Sequence, residues 1–219
     1  MNGARRIEGL PTPRGHEYPP RHREVLAQAL RLFAERGYAG ASLRELARRL
    51  GIQQPSLYHY FRSKDELVEQ VLDYFGVGGA ATMIAHEEPH VPADIADLPA
   101  ALSLFVRYLY DHTDWALFVR FMFLLAAENR SFTPRLREMF VERSNELTSI
   151  LLRHYVESGQ IDAEDAKHLS RMILAAHALP LIEERLLFPD DSRHPDLEPY
   201  FAFIVESARV VIEAKRKKT

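Results

Sequence analysis

Apolar residues recur at helical spacing in almost every segment of this chain, and this pattern limits the possible folds more than any other feature. In residues 25–33 they stand at i, i+4 and i+8, which is typical of one buried helix face. Leucine and alanine also outnumber valine, isoleucine and threonine by nearly two to one, and this balance favours helices over strands. The 219 residues suffice for one or two domains with a buried core. We therefore predict an all-α protein of about nine helices.

Composition excludes several classes of protein. The chain has no cysteine, which rules out disulfides, zinc fingers, iron–sulfur clusters and thiol nucleophiles. No secretory apolar run opens the sequence, and no stretch of 18 or more uninterrupted apolar residues occurs in it. We expect a cytoplasmic protein that has no membrane span and needs no cofactor.

Positive charge is concentrated at the N-terminal end. Residues 1–64 carry a net charge of +7 and residues 65–219 a net charge of −10. A basic N-terminal region on an acidic body favours contact of that region with a polyanion. Chance clustering on a solvated face gives the same pattern, so charge alone leaves both interpretations open.

Prolines, glycines and capping residues divide the N-terminal third. Residues 1–20 have no apolar periodicity and form a flexible arm, which either touches DNA or is an idle tail. A helix follows over residues 21–36 and ends at Gly37. The sequences Ser42–Glu45 and Ser63–Glu66 both fit a capping box and open the second and the fourth helix, respectively.

The remainder of the chain is predicted to consist of long helices. Residues 86–99 contain three prolines and form a connector. Breaks at polar, glycine or proline clusters then separate helices at about 94–112, 114–128, 134–158, 162–188 and 195–217.

Residues 43–60 have the spacing of a helix-turn-helix. Two short apolar-faced segments are joined by a turn that contains Gly51, and the small residue Ala47 lies four positions before it. A small residue lets the two helices cross closely, and glycine lets the chain reverse within a few residues. The outer face of the second helix is then free to enter a major groove.

A longer residue order sharpens this interpretation. Three stretches occur in a fixed order: Phe33-Ala34-Glu35-Arg36-Gly37-Tyr38, then Ser42-Leu43-Arg44-Glu45-Leu46-Ala47, then Leu57-Tyr58-His59-Tyr60-Phe61-Arg62-Ser63-Lys64-Asp65-Glu66-Leu67. This residue order closely resembles the N-terminal domain of TetR/AcrR-type transcriptional regulators. The match covers about residues 22–72. The resemblance implies a DNA-binding domain at 21–75 and a helical effector-binding and dimerisation domain at 80–217. It further implies a repressor that a small molecule releases from a palindromic operator.

The resemblance also assigns roles within the DNA-binding domain. Residues 43–50 correspond to the first helix of the motif and residues 54–60 to the recognition helix. The early recognition positions, which face base edges or nearby phosphates, are Gln53, Gln54 and Ser56, and glutamine suits a bidentate bond to adenine. The residues that correspond to contacts with the DNA backbone are Tyr58, His59 and Lys64, with Ser42 and Arg44 as secondary candidates.

Each of these residues also has a simpler interpretation. Ser42 caps its helix whether or not it touches DNA. Tyr58 fits a half-buried core position, and His59 and Lys64 fit ordinary surface positions. Tyr60 and Phe61 are expected to fill the small core.

Residues 108–125 are apolar almost all round, so this segment is predicted to be buried on several sides. Core packing explains the pattern in the simplest way. The functional interpretation, which the resemblance favours, is an aromatic cavity for an unknown small-molecule effector. Its candidate lining residues are Tyr108, His112, Trp115, Phe118, Arg120, Met122 and His177.

The last two helices carry small and apolar residues at helical spacing, which permits close approach of helices. Two such helices from each subunit would form a four-helix interface in a homodimer, and a two-fold dimer requires a palindromic site on double-stranded DNA. The predicted interface residues are Ala175, Ala176, Leu179, Phe201, Val205, Ala208 and Ile212.

Two alternatives have a basis in the sequence. Residues His86 to His90 fit the H-E-x-x-H pattern of a zinc hydrolase, but Pro89 between the histidines disfavours the helix that this site needs. We therefore expect no metal site and no enzyme. The second alternative is a TetR-like scaffold that has lost DNA binding and pairs only with another protein.

Overall fold

The computed structural model describes residues 5–6, 18–76, 90–104, 114–143, 152–182 and 196–216, and they confirm the all-α prediction. Further helical residues lie at 98–104 and 152–157. The α-helices are α1 (Pro20–Gly40), α2 (Leu43–Leu50), α3 (Lys64–Phe75), α4 (Trp115–Glu128), α5 (Thr133–Arg137), α6 (Ala163–Ile182) and α7 (Glu198–Lys215).

Shorter elements connect these helices. The 3-10 helices span Gln54–His59, Ile95–Asp97 and Arg130–Phe132, and a π-helix spans Glu138–Arg143. Strand β1 (Arg5–Arg6) pairs antiparallel with strand β2 (His90–Val91), so this part of the predicted N-terminal arm is in an extended pair. Apart from residues 5–6 and 18–20, the predicted arm lies outside the described residues.

The observed helix bounds follow the predicted breaks with two clear exceptions. Helix α1 does not end at Gly37, as predicted, but continues after a kink at that residue to Gly40. Helix α4 starts one residue after the predicted start at 114 and ends at Glu128, as predicted. The helix predicted for residues 134–158 is not uniform, because α5 passes into the π-helix Glu138–Arg143. Leu136 and Met139 on this segment are both buried, so the apolar spacing that predicted a helix marks its core-facing side.

The chain forms two compact units. One comprises Pro11–Ile84 and Asp114–Ser144, and the other comprises Met1–Leu10, Ala85–Thr113 and Asn145–Thr219. The first unit therefore contains α1, α2 and α3 together with α4 and α5. The predicted functional division, with a DNA-binding domain at 21–75 and an effector domain at 80–217, stays a prediction.

The core of the first unit lies between α1, α3 and α4. The rings of Phe33 on α1 and Phe121 on α4 stack with centroids 5.1 Å apart, and both side chains are buried. Helix α3 contributes four fully buried side chains, Leu67, Val68, Val71 and Leu72. This packing gives α2 and the following 3-10 helix a fixed support.

The second unit has its own core. Tyr155 is fully buried, and its hydroxyl donates a hydrogen bond to the carbonyl of Pro92 over 2.6 Å. Leu169 and Ile173 on α6 share a buried cluster with Ala208 and Ile212 on α7. Among the described residues, no helix is both long and apolar enough to cross a membrane.

Candidate nucleic-acid interface

Helix α2 begins and ends where its sequence signals predict. The Ser42 hydroxyl accepts a hydrogen bond from the amide of Glu45 over 3.2 Å, which satisfies one free donor at the helix start. Gly51 ends the helix in a left-handed conformation with φ of 65°. The amide of Ile52 then donates to the carbonyl of Ala47 over 3.0 Å. This hydrogen-bonded turn sets the direction in which the chain continues toward the 3-10 helix Gln54–His59.

Salt bridges hold α2 against α1. Arg49 pairs with Glu35 on α1 at 2.6 Å and with Glu45 at 3.1 Å, and Arg48 pairs with Glu45 at 2.7 Å. The hydrogen bonds from Arg48 and Arg49 lower the pKa of Glu45 to about 2. The predicted capping box is therefore only half formed, because Glu45 binds the two arginines rather than the Ser42 amide. The two guanidinium groups are charged donors, whereas the Ser42 amide that they displace is a neutral donor.

We expect the Glu45 pairing to make stability depend on acid pH. The pKa of Glu45 lies below its usual 4.5, so its contribution is fully present above pH 4.5 and is lost as the pH falls from about 4.5 to about 2. Urea unfolding of the native chain and Glu45→Gln at several pH values measures this. The difference between the free energies of unfolding of the two proteins should decrease as the pH falls. Glu142→Gln, at an exposed position, serves as the control. A difference in the free energy of unfolding that does not change with pH would contradict the pairing of Glu45 with the two arginines.

The predicted recognition helix is a 3-10 helix, Gln54–His59. Its hydrogen bonds span three residues, as in the bond from the Ser56 amide to the Gln53 carbonyl (2.9 Å) and that from the Tyr60 amide to the Leu57 carbonyl (2.9 Å). The segment is only six residues long, and Pro55 lacks an amide donor. The tighter i→i+3 pattern is favoured in such short pieces.

This 3-10 helix presents polar and aromatic side chains to solvent. Leu57 is its one buried residue and anchors it to the core. Tyr58 exposes 52% of its surface, Ser56 is half-buried, and Gln53, Gln54 and His59 are exposed. At the N-cap of α2 and in its first turn, Ser42 and Arg44 are exposed as well. The predicted base-contacting and backbone-contacting residues are thus accessible.

The residues after the 3-10 helix fill the core, as predicted. Phe61 is buried and Tyr60 is half-buried. The carbonyl of Tyr60 accepts a hydrogen bond from Gln70 on α3 over 3.0 Å, and its ring packs edge-on against His22 on α1. These contacts fix the end of the 3-10 helix between α1 and α3.

Lys64 at the start of α3 is half-buried rather than an ordinary surface lysine. Its ammonium donates a hydrogen bond to the carbonyl of Tyr38 and lies 4.5 Å from the centre of the Tyr38 ring. Burial lowers the pKa of Lys64. The Tyr38 hydroxyl donates to Asp65, and this bond raises the pKa of Tyr38 to about 12. The ammonium is therefore held at one place, with donors left for a further partner.

The candidate effector residues are distributed over both units. Phe118 and Met122 on α4 are buried and Arg120 is exposed, while Trp115 is the first residue of α4. Tyr108 and His112 lie outside the described residues.

His177 on α6 is fully buried within the second unit. Its Nδ1 lies 2.8 Å from the carbonyl of Ile173, its Nε2 lies 2.8 Å from the hydroxyl of Ser103, and its ring stacks on Phe201 at 5.0 Å. A carbonyl only accepts, so Nδ1 carries the proton and Nε2 accepts from Ser103. Both ring nitrogens are therefore used within the protein.

The first unit contains an apolar groove of about 330 Å³ between α4 and the segment after it. Met122 is the predicted cavity residue that contributes to it. The full lining is Val119, Met122, Phe123, Ala126, Thr133, Leu136, Arg137 and Val141.

The candidate dimer residues divide into buried, exposed and half-buried groups. Phe201, Ala208 and Ile212 on α7 are buried inside the protomer, so their side chains serve its own core. On α6, Ala175 and Leu179 are exposed, Leu179 by 57%. Ala176 and Val205 are half-buried. Large apolar side chains that the prediction did not name are also exposed on these two helices: Met172, Phe203, Val210 and Val211.

Three contacts of the first unit were not predictable from local sequence signals. The Glu128 carboxylate accepts a hydrogen bond from the amide of Ala39 over 2.9 Å, and Arg135 pairs with Glu69 at 2.9 Å and also with Asp73. The partners are 89, 66 and 62 residues apart. No spacing rule connects residues so distant in the chain.

Two comparisons with known sequences agree with this geometry. The sequence profile of bacterial regulatory proteins of the tetR family matches residues 25–71. The HTH-type transcriptional repressor Rv3405c from Mycobacterium tuberculosis is 40% identical over 73 residues, which cover 33% of this chain and 37% of that protein. The chain thus matches only about a third of that relative's length. The HTH-type transcriptional repressor NicS from Pseudomonas putida is 26% identical over 173 residues, 78% of this chain and 76% of that protein.

Solved structures share the fold. A TetR transcriptional regulator from Chloroflexus aurantiacus superimposes with a TM-score of 0.61 at 20% identity, over 91% of this chain and 94% of that one. This superposition extends well beyond residues 25–71, the segment that the family profile matches, which make up only about a fifth of the chain. Residues 25–71 thus match the tetR family of bacterial regulatory proteins, and the chain shares the fold of solved TetR regulators.

Proposed function

We propose that this protein is a sequence-specific DNA-binding transcriptional regulator: a homodimeric repressor that a small-molecule effector releases from a palindromic operator. The observation that carries the proposal is the 3-10 helix Gln54–His59, which exposes Gln54, Tyr58 and His59 while Leu57 anchors it. The names of the repressors in Mycobacterium tuberculosis and Pseudomonas putida agree with the sign of regulation.

Within this proposal, the exposed side chains have separate tasks. Gln53, Gln54 and Ser56 read base edges, and a glutamine amide can both donate to and accept from adenine. Tyr58, His59 and Lys64 hold the DNA backbone, with Ser42 and Arg44 beside them. Because Lys64 is already fixed by the Tyr38 carbonyl, it loses little side-chain freedom on meeting a phosphate.

Dimerisation and effector binding complete the proposal. The exposed apolar side chains of α6 and α7 support a dimer interface on these helices. The apolar groove beside α4 supports an effector with a large hydrophobic part. The DNA-competent dimer holds its two recognition segments about 34 Å apart, and the effector favours another arrangement. Its influence cannot exceed the difference between its affinities for the two arrangements.

Two variants with different expected signatures test the function. The probes are a DNA fragment from upstream of the protein's own coding region and a scrambled fragment of equal length. Lys64→Ala should weaken binding to both fragments by the same factor and lower the slope of log K against log salt by about 1.8, because the homodimer loses one phosphate contact in each protomer. Gln54→Ala should reduce the preference for the upstream fragment by roughly 5- to 150-fold for each half-site, the range for losing one bidentate base contact.

The control is Lys167→Ala, which removes one positive charge from an exposed position on α6. It should leave both affinities unchanged. Fluorescence anisotropy at several salt concentrations measures all three variants. If the native protein binds neither fragment, the repressor proposal is wrong and the scaffold alternative is favoured. Unchanged affinity in both Lys64→Ala and Gln54→Ala would contradict the assigned interface.

The hydrolase alternative has little geometric support. His90 lies in strand β2, where the helical i, i+4 arrangement of a zinc site is not formed, and His86 lies outside the described residues. The matched relatives are named as transcriptional regulators. The cytoplasmic location and the absence of a cofactor stay predictions.

A further inference from the structure

Helix α1 contains a kink with space beside it for a carboxylate. Gly37 interrupts α1 with φ of 70° and ψ of 176°, and residues 38–40 form a separate last turn. Gly37 is buried, and a Cβ built on it would lie 2.7 Å from Cδ of Glu128. The absence of a side chain at Gly37 is what lets the Glu128 carboxylate come this close.

Glu128, the last residue of α4, places its carboxylate beside this kink. The Glu128 carboxylate accepts a hydrogen bond from the amide of Ala39 over 2.9 Å. That amide follows the kink, where the regular α1 hydrogen-bond pattern is interrupted. The carboxylate acceptor makes this bond charge-assisted, and the pair is exposed to solvent. The contact therefore joins the end of α4 to the end of α1.

The segment that Glu128 holds is the same segment that holds Lys64. Tyr38 lies between Gly37 and Ala39, its carbonyl accepts the bond from the Lys64 ammonium, and its ring lies 4.5 Å from that ammonium. The Tyr38 hydroxyl donates to Asp65, the residue after Lys64. The negative charges of Asp65 and Glu128 also act on Lys64, against the burial that lowers its pKa.

We propose that Glu128 is a positioning residue for DNA binding, which acts through the turn 38–40 to hold the Lys64 ammonium where it meets a phosphate. This inference rests on the proposed function. It adds that the end of α4 and the start of α3 are coupled through one carboxylate. A shift of α4 that withdrew Glu128 would free the turn at the Gly37 kink and release Lys64.

A double-mutant cycle tests whether Glu128 acts through Lys64. We expect Glu128→Ala to weaken binding of the upstream DNA fragment roughly 2- to 30-fold, the usual range for a residue that acts through another. In a Lys64→Ala background the same change should have less than about a 2-fold effect, because coupled residues are not additive. Glu128→Gln keeps an acceptor for the Ala39 amide and should retain most of the affinity.

Amide hydrogen exchange provides a readout that does not depend on DNA. Loss of the Glu128 carboxylate should speed the exchange of the Ala39 amide, whereas Glu142→Ala, at an exposed position of the same unit, should not. Faster exchange together with a non-additive loss of affinity supports the proposal. Equal losses in both backgrounds, unchanged affinity, or unchanged exchange would overturn it.

The two proposals fail in different ways. If the native protein binds no DNA, the repressor function fails and the positioning role falls with it, whereas the exchange of the Ala39 amide still decides whether the contact exists. If the native protein binds DNA and the cycle is additive, only the role of Glu128 is wrong.

Discussion

Gly37→Ala is expected to lower the free energy of unfolding of the first unit by about 3 kcal/mol. The conformation of Gly37, φ of 70° and ψ of 176°, belongs to a region that essentially only glycine adopts. The strain of placing alanine there is on the order of 1–3 kcal/mol. In addition, the new Cβ would meet the Glu128 carboxylate, which must withdraw and give up its bond to Ala39.

Gly40→Ala is the matched control for this substitution. Gly40 lies three residues further on, and a Cβ there would meet only Cβ of Arg36 at 3.5 Å, an ordinary contact. Its substitution should change stability by about 0.5 kcal/mol or less. Urea unfolding can be followed by the fluorescence of Trp115, the single tryptophan of the chain, which belongs to the same unit. Equal stability of the two variants would show that the kink is not required.

Adding Glu128→Ala separates the two causes. In the double variant the Cβ at residue 37 no longer meets a carboxylate, so the steric part of the loss should be recovered. The backbone strain stays, because it depends only on the φ and ψ of residue 37. Full recovery would mean that the steric contact alone makes glycine necessary at this position.

Arg135→Met is expected to destabilise the same unit by about 1–3 kcal/mol, less than for a fully buried ion pair because Glu69 and Glu138 are both 42% exposed. The Arg135 side chain is 16% exposed and bridges α5 to Glu69 and Asp73 on α3, with Glu138 as a third partner. Methionine fills much of the space of the arginine stem but leaves three carboxylates close together with no cation between them. Their mutual repulsion adds to the lost pairing.

The ion-pair explanation has its own control and rescue. Arg130→Met changes an exposed arginine of the same unit and should alter stability by about 0.5 kcal/mol or less. Asp73→Asn in the Arg135→Met background removes one of the stranded charges and should recover part of the loss, as measured by urea unfolding. If Asp73→Asn makes that variant still less stable, charge repulsion is not the cause.

Local signals were sufficient for the helices around the candidate site. Ser42 and Ser63 accept the capping bonds expected of them, Gly51 ends α2, and α4 has almost the predicted bounds. These features depend on a few consecutive residues whose backbone preferences act alone. The resemblance to the TetR/AcrR-type regulators rested on the same part of the chain.

Long-range competition explains what the sequence did not predict. Glu45 was expected to cap α2, but Arg48 and Arg49 bind its carboxylate, and Arg49 also reaches Glu35 on another helix. Lys64 was expected at a DNA phosphate, and the structure shows that the Tyr38 carbonyl already holds it. Which partner a charged side chain selects depends on the tertiary arrangement, and residue spacing does not reveal it.

The tight winding of the segment Gln54–His59 limits how many base pairs one protomer can contact. At about 2 Å of rise per residue, six residues extend about 12 Å, which corresponds to three or four stacked base pairs at about 3.4 Å each. A sequence of three or four base pairs recurs by chance roughly once in every 100 base pairs of a genome. Under the proposed function, discrimination among genes must therefore come from two copies of the short sequence at a fixed spacing, and from how easily the intervening duplex bends.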